Sequence, residues 1–307
     1  MELPRPLPTA ADVSRERTWS VPDAWLPHLL LWPALLALIF VFAYPLGYSF
    51  WLSLHAYNIT RPPVFVGLNN YILIVQDMRV WESFGTSVLF ASVSLVVQFV
   101  IGFGIALLLH RVILFRGLIR TIVIIPLMLT PVVLSLNWRL MLNLDWGIIN
   151  YFIRLLGFAP INFVNDARWA MASLVLVETW HHTSFVVLVI SAGLASLPDE
   201  PFEAASIDGA SGWQKIWYLT IPLLRPLILV IILFRSYELV RVYDLVFALT
   251  SGGPGRLTET ISFHIFSRLF QGLQVGYSSA ISYFLFLACL FWSLLIIKVV
   301  GTKGTHE

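Results

Sequence analysis

A chain of 307 residues with 58% hydrophobic and only 12% charged positions, and a mean hydropathy of +0.83, is too apolar for a water-soluble domain, whose charged share is about 25%. At about 20 residues per crossing it holds about six to eight membrane helices with modest loops and no separate soluble domain. A formal charge of +2 on dispersed basic residues excludes a nucleic-acid surface, and the single cysteine, Cys289 in an apolar run, excludes an internal disulfide.

The opening stretch MELPRPLPTAADVSRERTWSVPD is polar and proline-rich, with no apolar core before a small-residue cleavage site, so residues 1–28 are expected to be a cytoplasmic tail, not a cleavable signal. A first span is expected over 29–54, bent at Pro33 and Pro45, with Tyr44, Tyr48, Phe50 and Trp51 crowding its far half as an interfacial belt. Residues 55–82, with Asn58, Asn69, Asn70, Asp77 and Arg79, read as an outer loop. A second span over 84–109 and a third over 118–138 are joined by a basic connection carrying His110, Arg111 and Arg116. Pro126 and Pro131 lie inside the third, where neighbouring helices can satisfy the carbonyls they free. In NLDWGIINYFIRLLGF, Trp146, Ile148, Ile149, Phe152, Leu155 and Leu156 share one helical face, which predicts an interfacial helix. The fourth span is expected over 170–194 and the fifth over 222–249. A polar loop with Glu259, His264 and Arg268 follows, then a sixth span over 277–300. The chain is thus read as an all-α polytopic membrane protein of six transmembrane helices over 29–302, with a short tail at 303–307.

Six spans place both termini on one side. Lys215, Lys298 and Lys303 fall there together with Arg5, Arg15, Arg17, Arg111, Arg116 and Arg120, while the opposing loops hold seven arginines. The positive-inside bias makes that side the cytoplasm.

Between the fourth and fifth spans, residues 203–226 read EAASIDGASGWQKIWYLTIPLLRP, too polar to lie in lipid. Two short helices are expected, broken at Gly209 and closed before Pro222. The pattern of Glu203, Ala204 and Ala205, three residues, Gly209, nine residues, then Leu219, Thr220, Ile221 and Pro222 resembles the EAA loop of permeases in bacterial binding-protein-dependent ABC importers. The resemblance implies the type I importer permease fold and a coupling helix that docks on a separate ATPase. Glu203 and Asp208 would then nucleate and fix the loop, and Trp213, Ile216 and Trp217 would form the docking surface; Ile216 stands where the family commonly has an aromatic residue.

The fifth span carries Arg235, Glu238, Arg241 and Asp244 at i, i+3 spacing, an alternating ladder along one drifting stripe of a single helix. Buried charges are costly in a membrane, so the stripe is expected either to face a translocation path or only to hold the helix against its neighbours. Tyr237 and Tyr243 add ring faces suited to sugars, and counting from Pro222 puts Tyr237 about 22 Å along the helix, past the midplane. Arg235, Arg241 and Asp244 followed by LTSGGPG, together with VGLNNY and VGYSSAIS, are similar to the first permease of carbohydrate importers, the kind that resembles the larger maltose permease subunit; Glu238 replaces an aspartate common there. This implies a second homologous permease, two ATP-binding subunits and an extracytoplasmic sugar-binding protein. In the fourth span Glu178, Trp180, His181 and His182 form a polar cluster. Glu178 and Trp180 are lining candidates, and Gln98, Ser279, Ser282 and Tyr283 weaker ones. The adjacent histidines point about 100° apart, not at the i, i+4 spacing of a zinc site, and no metal is assigned.

None of the three lysines follows a glycine, so no P-loop is present and this chain is expected to bind no cofactor, with ATP and magnesium left to a partner ATPase. No nucleophile sits beside a base, so no catalytic residue is assigned. Two rivals stay open: a proton-coupled transporter working alone through Glu178, Glu238 and Asp244, and a membrane enzyme using Glu178, His181 and His182.

Overall fold

The computed structural model describes residues 26–111 and 115–301; the tails expected at 1–28 and 303–307 lie outside these residues, except for positions 26–28. The chain divides into two compact units, residues 1–51 and 52–307.

In the first unit, α1 (Leu26–Leu38) passes through Pro33, and a π turn over Ile39–Ala43 leads into α2 (Tyr44–Ser53). The apolar stretch Leu31–Ser53 is long enough to cross a membrane. Phe40, Tyr44, Tyr48 and Trp51 stack down one stripe at 5.9, 6.2 and 5.9 Å between successive rings, as i, i+4 and i, i+3 spacing requires.

The second unit opens where an outer loop is expected. The chain there forms an antiparallel hairpin, β1 (His55–Asn58) with β2 (Arg61–Phe65), and then α3 (Asn69–Gln76). Buried Asn70 ties α3 back to the chain entering the hairpin, its amide donating to the carbonyls of Ser53 (2.8 Å) and His55 (3.0 Å). Next, α4 (Met78–Arg111) runs 34 residues, about 51 Å at 1.5 Å per residue, so it outruns the hydrocarbon core. Its buried residues include Ser83, Ser87, Ala91, Ser94, Gly102 and Ala106 alongside the larger Val80, Phe90, Gln98 and Leu109, and the small ones let a second helix approach closely. That helix is α8 (Ala170–Ala195); a Cβ on Gly102 would meet Val186 Cβ at 2.6 Å.

The third span is a correction. α5 (Arg116–Ile124) and a 3₁₀ turn over Ile125–Met128 meet α6 (Pro131–Met141) at 98°, because Leu129 and Thr130 are extended ahead of Pro131. The carbonyls freed there are used: His181 Nε2 lies 3.1 Å from the Leu129 carbonyl, and Ser184 donates to Val123. α7 (Ile148–Leu155) is the expected amphipathic helix. Ile148, Phe152 and Leu155 face outward, whereas buried Asn150 ties the helix to Asn143 and Ile161.

After α8 come α9 (Glu200–Ile207), α10 (Gly212–Lys215), a π turn over Ile216–Thr220 and α11 (Ile221–Leu223). The fifth span is the second correction, since Gly212–Leu223 meets α12 (Arg225–Val240) at 69° and α12 stops before Arg241. A new helix, α13 (Asp244–Leu249), begins at Asp244, whose carboxylate favours a helix N-terminus. α14 (Ile261–Phe266) and a π turn precede α15 (Val275–Gly301). Among the described residues four helices are long and apolar enough to cross a membrane, and up to six spans result if each bent pair counts as one.

Candidate functional site

The four-charge ladder does not exist as one stripe. Only Arg235 and Glu238 remain on α12, where they form an i, i+3 ion pair. Arg235 is 1% exposed and is held on three sides: Nε donates to Gln98 Oε1 (3.2 Å), one terminal nitrogen to Glu178 Oε1 (2.6 Å) and the other to Glu238. Gln98 reaches back to the Glu178 carbonyl at 3.3 Å, and His182 Nδ1 sits 2.7 Å from Glu178 Oε1. α4, α8 and α12 therefore converge on one buried charged cluster. Gln98, a minor candidate in the sequence, is one of its members. A glutamine on a serine-rich stripe was the signal for it.

Arg241 caps α12, donates to the Tyr237 hydroxyl and lies 4.7 Å over that ring. Tyr237 lines a cavity of about 280 Å³ between α4, α12 and α15, to which Gln98, Glu178, Arg235 and Glu238 do not contribute. Its walls are Phe84, Val88, Leu95 and Trp292 with few polar atoms, so it lacks the hydrogen-bonding groups a hydroxyl-rich solute requires. Tyr243 packs among Phe247, Phe263 and Phe266, and no ion pair among the described residues uses Asp244. The depth counted from Pro222 also fails, because α12 starts at Arg225 after a sharp bend.

On α8, Trp180 is exposed and edges onto Trp138 at 5.6 Å, apart from Glu178. His181 and His182 are closer than the angular argument suggested, with ring centroids 4.0 Å apart, and ligand atoms of Glu178, His181 and His182 lie within 4.8 Å of one another. Arg235 already neutralises that carboxylate, which opposes a further cation there.

The coupling-loop residues sit as follows. Glu203, Ala204 and Ala205 occupy the first turns of α9, and Asp208 caps its end. Gly209 turns the chain with φ +77°, a conformation that costs any other residue strain. Ser211 and Gln214 form a reciprocal capping box that starts α10. Trp213 and Trp217 are exposed and in edge contact at 5.8 Å, but Ile216 is half-buried and lines a cavity of about 370 Å³ beneath the loop with His110, Arg111 and Glu203. The outward apolar surface instead adds Ile207 (88% exposed) and Tyr218 (76%). Helical period alone does not find Tyr218, because it sits in the π turn that shifts the phase between α10 and α11.

A second polar network joins α4, α14 and α15. Arg79 forks onto Glu259 (2.9 Å), which also meets His264 Nδ1 (2.8 Å), while Asp77 takes Arg268 (3.3 Å) and the Tyr277 hydroxyl (2.9 Å). Burial by itself raises both carboxyls. Hydrogen bonds from His264 and Arg79 nevertheless hold Glu259 below the usual range, and those from Tyr277 and the Arg79 amide, with the Arg268 charge, do the same for Asp77. The sequence presented Asp77, Arg79, Glu259, His264 and Arg268 only as loop residues, and Tyr277 only as the start of the sixth span.

Broken membrane helices around a buried charged cluster, with an amphipathic two-helix loop between two spans, define a polytopic transport permease. Residues 98–300 match the family described as binding-protein-dependent transport system inner membrane component, and the chain belongs to that family. It is 34% identical over 279 residues to the trehalose/maltose transport system permease protein MalF of Thermococcus litoralis, covering 90% of this chain and 94% of that one. Over 281 residues it is 34% identical to the trehalose transport system permease protein SugA of Mycobacterium tuberculosis, covering 91% and 90%. Among solved structures it resembles a bacterial ABC transporter involved in the import of the acidic polysaccharide alginate, with TM-score 0.80 and 20% identity over 92% of this chain and 96% of that one.

Proposed function

We propose that this chain is the membrane-embedded subunit of a carbohydrate importer driven by ATP. It pairs with a second, related permease and two ATP-binding subunits, and receives solute from an extracytoplasmic sugar-binding protein. Nucleotide and magnesium are held by the ATPase subunits, and both termini of the permease are cytoplasmic. The observation that carries the reading is the loop of α9 and α10, which is folded on Gly209 and presents Ile207, Trp213, Trp217 and Tyr218 to a partner. An exposed cluster of this kind suits a protein groove. Closure of the ATPase pair would move this loop and, through α11, the bend into α12 and the cluster at Arg235. The kinship with sugar permeases supports the choice of carbohydrate.

The test is Trp213→Ala with Ile207→Asp, and separately Glu203→Lys with Asp208→Lys, in the coexpressed importer. Each pair is expected to leave the permease inserted while copurification of the ATPase and sugar uptake fall at least tenfold. Normal copurification and uptake in both would sink the coupling role.

A further inference from the structure

We infer that a cavity between α5 and α8 is a binding site for the headgroup of an anionic phospholipid, held by Arg120 and Ser191. The cavity has a volume of about 200 Å³, and its other lining residues are Ile124, Val187, Leu188, Ala192 and Ala195, so one cation and one hydroxyl stand in an otherwise apolar wall. Arg120 Nε and Ser191 Oγ are both buried, and neither has a hydrogen-bond partner. Arg120 enters no ion pair among the described residues. A guanidinium donates and never accepts, so two unused buried donors lining one cavity call for an acceptor from outside the chain. The surrounding sequence supplies no carboxylate, because no Asp or Glu stands between Glu82 and Asp145. The cavity beneath the α9–α10 loop differs, since Asp199 and Glu203 there offset Arg111 and Lys215.

Position selects the acceptor. Arg120 lies four residues into α5 and Ser191 four before the end of α8, about 6 Å from each helix terminus at 1.5 Å per residue. Both termini belong to the membrane face that carries the α9–α10 loop, since α8 runs into that loop, and His110 and Arg111, just ahead of α5, line the cavity beneath it. Phospholipid headgroups lie at that level, and Arg111, Arg116 and Arg120 bring three cations within ten residues of sequence. A phosphodiester accepts from a guanidinium and a hydroxyl at once. Leu188, 47% exposed, and exposed Ala192 lead from the cavity onto the outer surface of α8, an apolar track for an acyl chain that a free phosphate would leave unused. A lipid held here bridges α5 to the last turns of α8, and its binding depends on neither the solute nor the ATPase partner proposed above.

The experiment takes the solubilised full-length chain with its copurifying subunits and titrates in dioleoylphosphatidylglycerol against dioleoylphosphatidylcholine. Native mass spectrometry counts the retained lipid, and thermal unfolding reads the stabilisation. Phosphatidylglycerol is expected to be retained at least tenfold over phosphatidylcholine and to raise the unfolding temperature. Arg120→Gln should abolish both the preference and the shift, and Ser191→Ala should reduce the preference about threefold. Arg154→Gln, which removes the same charge on α7, should leave both unchanged. Ser191→Ala deletes one hydroxyl only, so it decides the matter if Arg120→Gln does not fold. No preference in the unaltered chain, or an unchanged one in both cavity variants, overturns the inference. An equal loss in Arg154→Gln also overturns it, since the attraction is then one of net charge. An equal shift from inorganic phosphate assigns the site to a free anion and overturns the lipid. Loss of the second permease from the Arg120→Gln assembly, with phosphatidylglycerol still retained, shows that a protein carboxylate meets these donors and overturns it as well.

Discussion

Arg235 lies ten residues into α12, about 15 Å along its axis, where a lone charge is poorly tolerated. Removing it leaves Glu178 as an unpaired buried carboxylate, at a cost of about 3 kcal/mol or more. Arg235→Met is therefore expected to lower the unfolding temperature of the solubilised assembly sharply, and adding Glu178→Gln should recover part of the loss. Equal losses in the single and double variants would show that the pair is not the main partner set. Arg241 and Asp244, four-charge partners in the sequence, stand on either side of a helix break. Arg241→Ala and Asp244→Asn should hence act additively to within about 0.5 kcal/mol, and a larger coupling in a double-mutant cycle would restore the ladder.

Helices α4 and α8 owe their close approach to one missing side chain. Gly102→Val would drive a Cβ into Val186 and force the pair apart, so it should destabilise by about 1–3 kcal/mol, whereas Gly104→Ala, with open space at its Cβ, should be close to neutral. Since alanine is the better helix former, a loss at Gly104 as large as that at Gly102 would mean that the close approach to Val186 does not set the effect. The α9–α10 loop depends on backbone conformation instead. Gly209→Ala adds strain of about 1–2 kcal/mol at φ +77° without meeting any neighbour, so ATPase copurification should weaken while helix packing in the membrane is untouched.

The Arg79–Glu259–His264 and Asp77–Arg268–Tyr277 contacts bind the starts of α4, α14 and α15 into one assembly, so their effect is felt by the whole second unit. Both carboxyls have folded-state pKa values below their ordinary 3.8 and 4.5. A depressed carboxyl contributes stability that is present above the unfolded value and is lost as pH falls through the folded one. Unfolding temperature should thus hold from neutrality to about pH 5 and drop below about pH 4.5. Glu259→Gln should start lower at pH 7 and show a shallower acid limb. An acid limb of unchanged slope in that variant would place the titrating groups elsewhere.

Composition by itself determined the membrane class, and apolar runs located the spans; the fourth was placed to within a residue, since lipid imposes a length that a sequence can be measured against. The Gly209 turn was equally legible, because a backbone demand is written in the residue that meets it. The ladder was not, since i, i+3 spacing predicts neighbours only while the helix continues, and α12 ends at Val240. Nor does any local pattern bring Gln98 and Glu178 to Arg235, or Arg79 to Glu259 across 180 residues. A buried charge demands a partner, but which one it receives is decided by how the bent spans pack.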